Sequence, residues 1–153
     1  MTAPVATPLW SRVPHAGYYI NSVATSANGG RVVAGTFFHV YGQAASAEPK
    51  LAARMQAAGA ATDDPSQYGV FGTYVWDRAG TLLMQQTFQG WQGVYWVAMA
   101  GDGSIVASTG WKQGSPDYAG FVGAWSVDGG TALLDFALPG RGNVVALDQD
   151  AQL

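Results

Sequence analysis

One strand-turn-strand pattern occurs twice in full in this 153-residue chain and begins a third time, and a repeat constrains the fold more than any other feature here. The first segments to align are Val23-Ala24-Thr25-Ser26-Ala27-Asn28-Gly29-Gly30 and Val97-Ala98-Met99-Ala100-Gly101-Asp102-Gly103-Ser104. In each, a short apolar strand meets an Asn-Gly or Asp-Gly turn, and a second apolar strand follows, Val32-Val33-Ala34 or Ile105-Val106-Ala107. This reads as a hairpin with a type I′ turn, whose positive φ angles Asn, Asp and Gly tolerate.

A second match lies downstream. Gly69-Val70-Phe71-Gly72-Thr73-Tyr74-Val75-Trp76-Asp77 aligns with Gly120-Phe121-Val122-Gly123-Ala124-Trp125-Ser126-Val127-Asp128, both of the form Gly-x-x-Gly-x-aromatic-x-x-Asp. Each passes through a glycine-containing turn into Leu82-Leu83 or Leu133-Leu134, so a unit has four strands, a to d. A third copy starts at Val145-Ala146-Leu147-Asp148-Gln149-Asp150, 48 positions after Val97, which matches the spacing of four-stranded propeller repeats. Leu9-Trp10-Ser11-Arg12 precedes the first unit as Leu82 and Leu133 precede later ones, and so reads as a strand d.

The expected fold is therefore all-β: a β-propeller segment of about two complete four-stranded antiparallel blades plus flanking strands, with one short helical insertion. We read residues 1–153 as one partial domain, with strand d of a preceding blade at 7–13, a blade at 19–90, a blade at 94–140 and the start of the next at 143–153. The strands are apolar on both faces, as expected of sheets sandwiched between neighbours. The rival architecture is a small sandwich or barrel.

The first unit is longer than the second, and the excess falls between strands b and c, at 41–68. Within it residues 46–59 carry a helical pattern: Pro49 suits a first turn, Leu51 and Met55 share a face, and Gly59 suits a C-terminal left-handed position. In a meander, the d-to-a and b-to-c connections leave on one side. That side collects the insertion and the candidate ligand- or partner-binding residues His15, Trp91, Gln92, Trp111, Lys112, Asp117, Tyr118 and Arg141, while the other side has only tight Gly/Asn/Asp turns. Trp91 and Trp111 also suit a purely structural place beneath loops or between blades.

Composition excludes several function classes. The net charge is −3 and the seven Lys and Arg are scattered, so no basic stripe exists to hold nucleic acid. Without cysteine there is no disulfide framework, thiolate metal site or cysteine nucleophile. The N-terminus has neither a basic nor an apolar targeting region, and no run is apolar enough to span a membrane, so the expected compartment is the cytoplasm by default. His15 and His39 are the only histidines, and no nucleophile or metal-ligand motif surrounds them, so no catalytic residue, metal or cofactor is assigned. Asp148 and Asp150 align with the turn that holds Asn28 and Asp102, and Asp77 and Asp128 recur after strand c. All are read as structural.

On the strength of the Val97–Ser104 and Gly120–Asp128 segments quoted above, the repeat resembles the WD40-like and quinoprotein-like (PQQ-type) propeller repeats of bacterial proteins. The resemblance implies a bladed ring that serves as an interaction platform, with quinone-dependent dehydrogenases as one branch. The function expected is a non-catalytic module presenting loops to a protein or small polar ligand. The alternatives are part of a quinoprotein- or lactonase-like enzyme, and a structural chain that self-associates through exposed blade faces.

Overall fold

A computed structural model describes residues 8–12, 19–37, 71–88, 93–112 and 119–150. The protein is all-β over this range, with eight antiparallel strands in one curled sheet. They are β1 (Tyr19–Thr25), β2 (Arg31–Phe37), β3 (Phe71–Asp77), β4 (Leu82–Phe88), β5 (Gly93–Met99), β6 (Ile105–Lys112), β7 (Ala119–Ser126) and β8 (Ala132–Leu138). The helix expected at 46–59 lies outside the described residues. Among the described residues no helix occurs, hence none long and apolar enough to cross a membrane.

Sequential pairing divides the sheet into two four-stranded meanders, β1-β2-β3-β4 and β5-β6-β7-β8, joined at the single rung between Phe37 and Gly93. The repeat extends below the level of residue type. In β1 the ladder skips Asn21 between Ile20 and Ser22, and in β5 it skips Tyr95 between Val94 and Trp96, at matching positions. A second bulge skips Leu83 in β4 and Leu133 in β8. Bulges sharpen the right-handed twist, so both meanders bend at the same two places.

The turns that follow β1 and β5 are linked by a hydrogen bond that recurs with the repeat. Ala27 N–H donates to the Gly101 carbonyl at 2.8 Å, and Gly101 N–H donates to the Gln149 carbonyl at 2.9 Å. These three residues each stand four positions after Val23, Val97 and Val145, so the third copy continues the register of the first two.

The first hairpin of each unit differs from the type I′ expectation. Gly29 N–H bonds the Ser26 carbonyl and Ser26 N–H the Arg31 carbonyl, and Gly103, Ala100 and Ile105 repeat the arrangement. This makes a longer connection with a left-handed glycine late in the loop, at φ 64° and 79°. Asn28 and Asp102 act through their side chains: each Oδ1 accepts the N–H two residues on, from Gly30 or Ser104, at 2.8 Å. The side-chain acceptor supplies turn closure that a two-residue loop would have taken from backbone conformation.

The third strands also depart from the sequence alignment. Ladder pairing sets Trp76 opposite Val32 and Trp125 opposite Val106, so Trp76 rather than Tyr74 occupies the place of Trp125. A two-residue offset leaves every side chain on its original face, so the apolar pattern does not reveal it. The offset separates the two aspartates as well. Asp77 caps its turn, accepting Ala79 N–H and Thr81 N–H on Oδ1, whereas Asp128 lies in a turn one residue longer and accepts Arg31 Nη2 at 3.0 Å from the other meander.

The core lies between the meanders. Val33, Val75 and Met84 of the first pack with Val94, Val97, Val106, Phe121 and Trp125 of the second, and Phe88 sits 4.5 Å from Phe121 and 5.9 Å from Trp125 between ring centroids. Gly35 has room for no side chain, because a β-carbon there would stand 2.6 Å from Val94. Two hydroxyls of this buried layer, Thr73 Oγ1 and Ser108 Oγ, have no hydrogen-bond partner. On the far face of the first meander, Trp10 packs against Ala34, Tyr74 and Trp76. Its Nε1 donates to the Arg78 carbonyl, and Arg12 Nε donates to the Gly80 carbonyl.

Candidate functional site at the strand ends

The end of the sheet where β2 and β6 finish and β5 and β7 begin gathers three aromatic rings. Phe37 closes β2, Trp111 stands near the end of β6, and Tyr95 is the residue left out of the ladder by the bulge in β5. Tyr95 and Trp111 are 4.4 Å apart between centroids, and Phe37 meets Tyr95 edge-on at 5.5 Å and Trp111 at 5.2 Å. The carbonyl of bulged Tyr95 accepts Asn21 Nδ2 at 2.6 Å, which ties the two bulges together.

Glycine makes the junction possible. At Gly93, φ is 142°, and a β-carbon would fall 2.7 Å from both Phe37 Cα and the Thr36 carbonyl. The first strand of the second meander therefore crosses close to the end of β2 and brings Tyr95 to Phe37.

Above the rings lies Arg141, exposed, with its guanidinium carbon 5.2 Å from the centroid of the Trp111 ring. A planar cation resting on an indole has one face partly dehydrated and held in place by the ring. Trp111 is only 5% exposed, so it acts as a floor for Arg141 rather than as a surface of its own.

Of the residues picked out from sequence, the structure thus brings together Trp111 and Arg141. Lys112 belongs to the end of β6 beside them. His15, Trp91, Gln92, Asp117 and Tyr118 lie outside the described residues. Sequence reasoning passed over Phe37, Tyr95 and Asn21. Phe37 was within reach, since it follows Val23 by the same interval that separates Trp111 from Val97, whereas nothing in the sequence marks a bulge at Tyr95.

The opposite end is built of closed turns. Arg31 binds the Gly103 carbonyl at 3.0 Å and the Asp128 carboxylate, joining the meanders there. The Asp77 carboxyl is held below its usual value chiefly by the Thr81 N–H, and that of Asp102 chiefly by the Ser104 N–H. Among the described residues no group of three His, Cys, Asp or Glu side chains could hold a metal ion. Comparison with known proteins returned no match to a family model and none to a curated protein.

Proposed function

We propose that the chain is a segment of a β-propeller that works as a non-catalytic binding module, with the strand-end cluster at the base of its recognition face. The propeller reading draws on the repeated turn-to-turn hydrogen bond, the matched bulges and the face-to-face stacking of two meanders. The observation that carries the binding reading is the asymmetry of the two ends. One end presents Arg141 on an aromatic floor, and the other is closed by its own Asn28, Asp77 and Asp102 side chains.

Such a floor fits a protein loop or small polar ligand that lays an apolar edge against the exposed cation and the rings beneath it. Probing immobilised full-length chain with glycan and peptide arrays tests this, with Arg141→Ala and Trp91→Ala set against Asn28→Ala at the opposite end. The expected outcome is a ligand lost in the first two variants and retained in the third. Arrays that show no binding, or binding indifferent to Arg141 and Trp91, reject the module.

A further inference from the structure

In an Asn-Gly pair such as Asn28-Gly29 the backbone readily attacks the asparagine side chain, because glycine puts no side chain in the way. Hydroxide takes the Gly29 amide proton, the nitrogen bonds to Asn28 Cγ, the Cγ–Nδ2 bond breaks, and ammonia leaves with a proton from water. Water then opens the resulting succinimide at one of its two carbonyls and leaves aspartate or isoaspartate. In the planar succinimide ring Cγ takes the place that hydrogen held on the Gly29 nitrogen, so the reaction needs that direction open.

In the fold that direction is occupied. Gly29 N–H points at the Ser26 carbonyl, 2.9 Å away. Asn28 Oδ1 accepts Gly30 N–H and the Ser26 hydroxyl, each at 2.8 Å, which fixes the amide within the turn. Ser26 Oγ also accepts Arg31 N–H at 2.9 Å. The second meander braces the same turn, since Ala27 N–H donates to the Gly101 carbonyl and Arg31 Nη1 to the Gly103 carbonyl. Asn28 and Gly29 are themselves exposed, so water and hydroxide reach them, and the geometry of the turn is what holds the reaction back.

We propose that Asn28 is a conformationally gated deamidation site: the closed turn blocks succinimide formation, and local opening of the turn admits it. The two products differ in what they leave behind. Aspartate suits this turn, since Asp102 closes the matching one by accepting Ser104 N–H on Oδ1 at 2.8 Å. Isoaspartate adds a backbone carbon between positions 28 and 29, so the Gly29 and Gly30 amides no longer stand at their acceptors, and the turn is held open beside the Ala27–Gly101 link. The site thus records past openings of the junction between meanders. It rests on the turns alone and is independent of what the strand-end cluster binds.

Incubation of the full chain at mildly alkaline pH, with and without denaturing urea, tests the gate. Peptide mapping by mass spectrometry follows the exchange of amide for carboxylate at position 28, and hydrogen exchange follows the Gly29 amide. Deamidation is expected to be at least about tenfold slower in the folded chain than in urea. Ser26→Ala removes the hydroxyl between Asn28 and Arg31, and Ala100 at the matching position shows that the turn forms without it. This variant is expected to deamidate about fivefold faster when folded and to exchange the Gly29 amide faster by the same factor, because both require the N–H to leave the Ser26 carbonyl. If circular dichroism shows the variant unfolded, the same pair of rates is followed in the native chain over sub-denaturing urea. A folded chain that deamidates as fast as the unfolded one, or a deamidation rate that does not follow Gly29 exchange, overturns the proposal.

Discussion

The two meanders share strand order, bulges and turn chemistry, yet their burial differs. In the first, Trp10 covers one face and the second meander covers the other, and β3 is buried along nearly its whole length. In the second, the face toward the first is packed and the far face is buried at Ala107, Thr109 and Ala124 but open at Phe136, with β8 exposed or half-buried throughout. Similar backbones therefore acquire a core or a surface according to what stacks on them. The stabilising unit of this fold is the contact between meanders more than the meander itself.

Substitutions at matched levels of the two layers put that comparison at risk. The largest effect is expected at Trp125, whose ring fills the layer between meanders. Trp125→Ala should cost about 3–5 kcal/mol, against less than about 0.5 kcal/mol for Phe136→Ala on the open face. Urea denaturation of the two variants measures both, and similar losses would mean that the open face is covered after all.

A smaller effect of opposite sign is expected inside the same layer. Thr73 carries a buried hydroxyl without a partner, and Val122 stands at its ladder position in the second meander. Thr73→Val makes the two alike and should raise stability by about 1 kcal/mol, since it removes the cost of an unpaired polar group. A drop in the denaturation midpoint would show that the hydroxyl has a partner.

The most modest effect belongs to the turns. The Asp77 carboxyl titrates below its ordinary value in the fold, so its contribution is present above that ordinary value and is lost as pH falls through the lowered one. Thermal melts of Asp77→Ala should therefore show a shallower decline on acidification than the native chain. Asp128→Ala, which removes only an exposed ion pair with Arg31, should lower the melting temperature at neutral pH only slightly.

Much of this architecture was legible because repetition converts one weak pattern into several mutually consistent ones. The eight strands of the two units and the link from Val23 to Val97 to Val145 follow from aligned apolar runs and Asn-Gly or Asp-Gly pairs, whereas the further strands expected at 7–13 and 143–153 are not strands at the described residues 8–12 and 143–150. What escaped was register and closure. The Tyr74/Trp76 offset is invisible because a slip of two preserves facing, and the hairpin turns were misread because Asn28 and Asp102 close them by side chain. Of the strand-end cluster, loop placement alone points to Trp111 and Arg141. It does not point to Tyr95, since a bulge depends on neighbouring strands rather than on its own residue type.

The relay from Ala27 to Gly101 to Gln149 joins units of unequal length, because 74 positions separate the first pair and 48 the second. The two bonds nevertheless have nearly the same length, 2.8 and 2.9 Å. Extra sequence between β2 and β3 leaves at the strand ends and does not disturb the step from one unit to the next. Such a chain has two independent dimensions: an axial one, where a single inserted residue breaks the relay, and a peripheral one, where whole segments can be gained or exchanged at little cost.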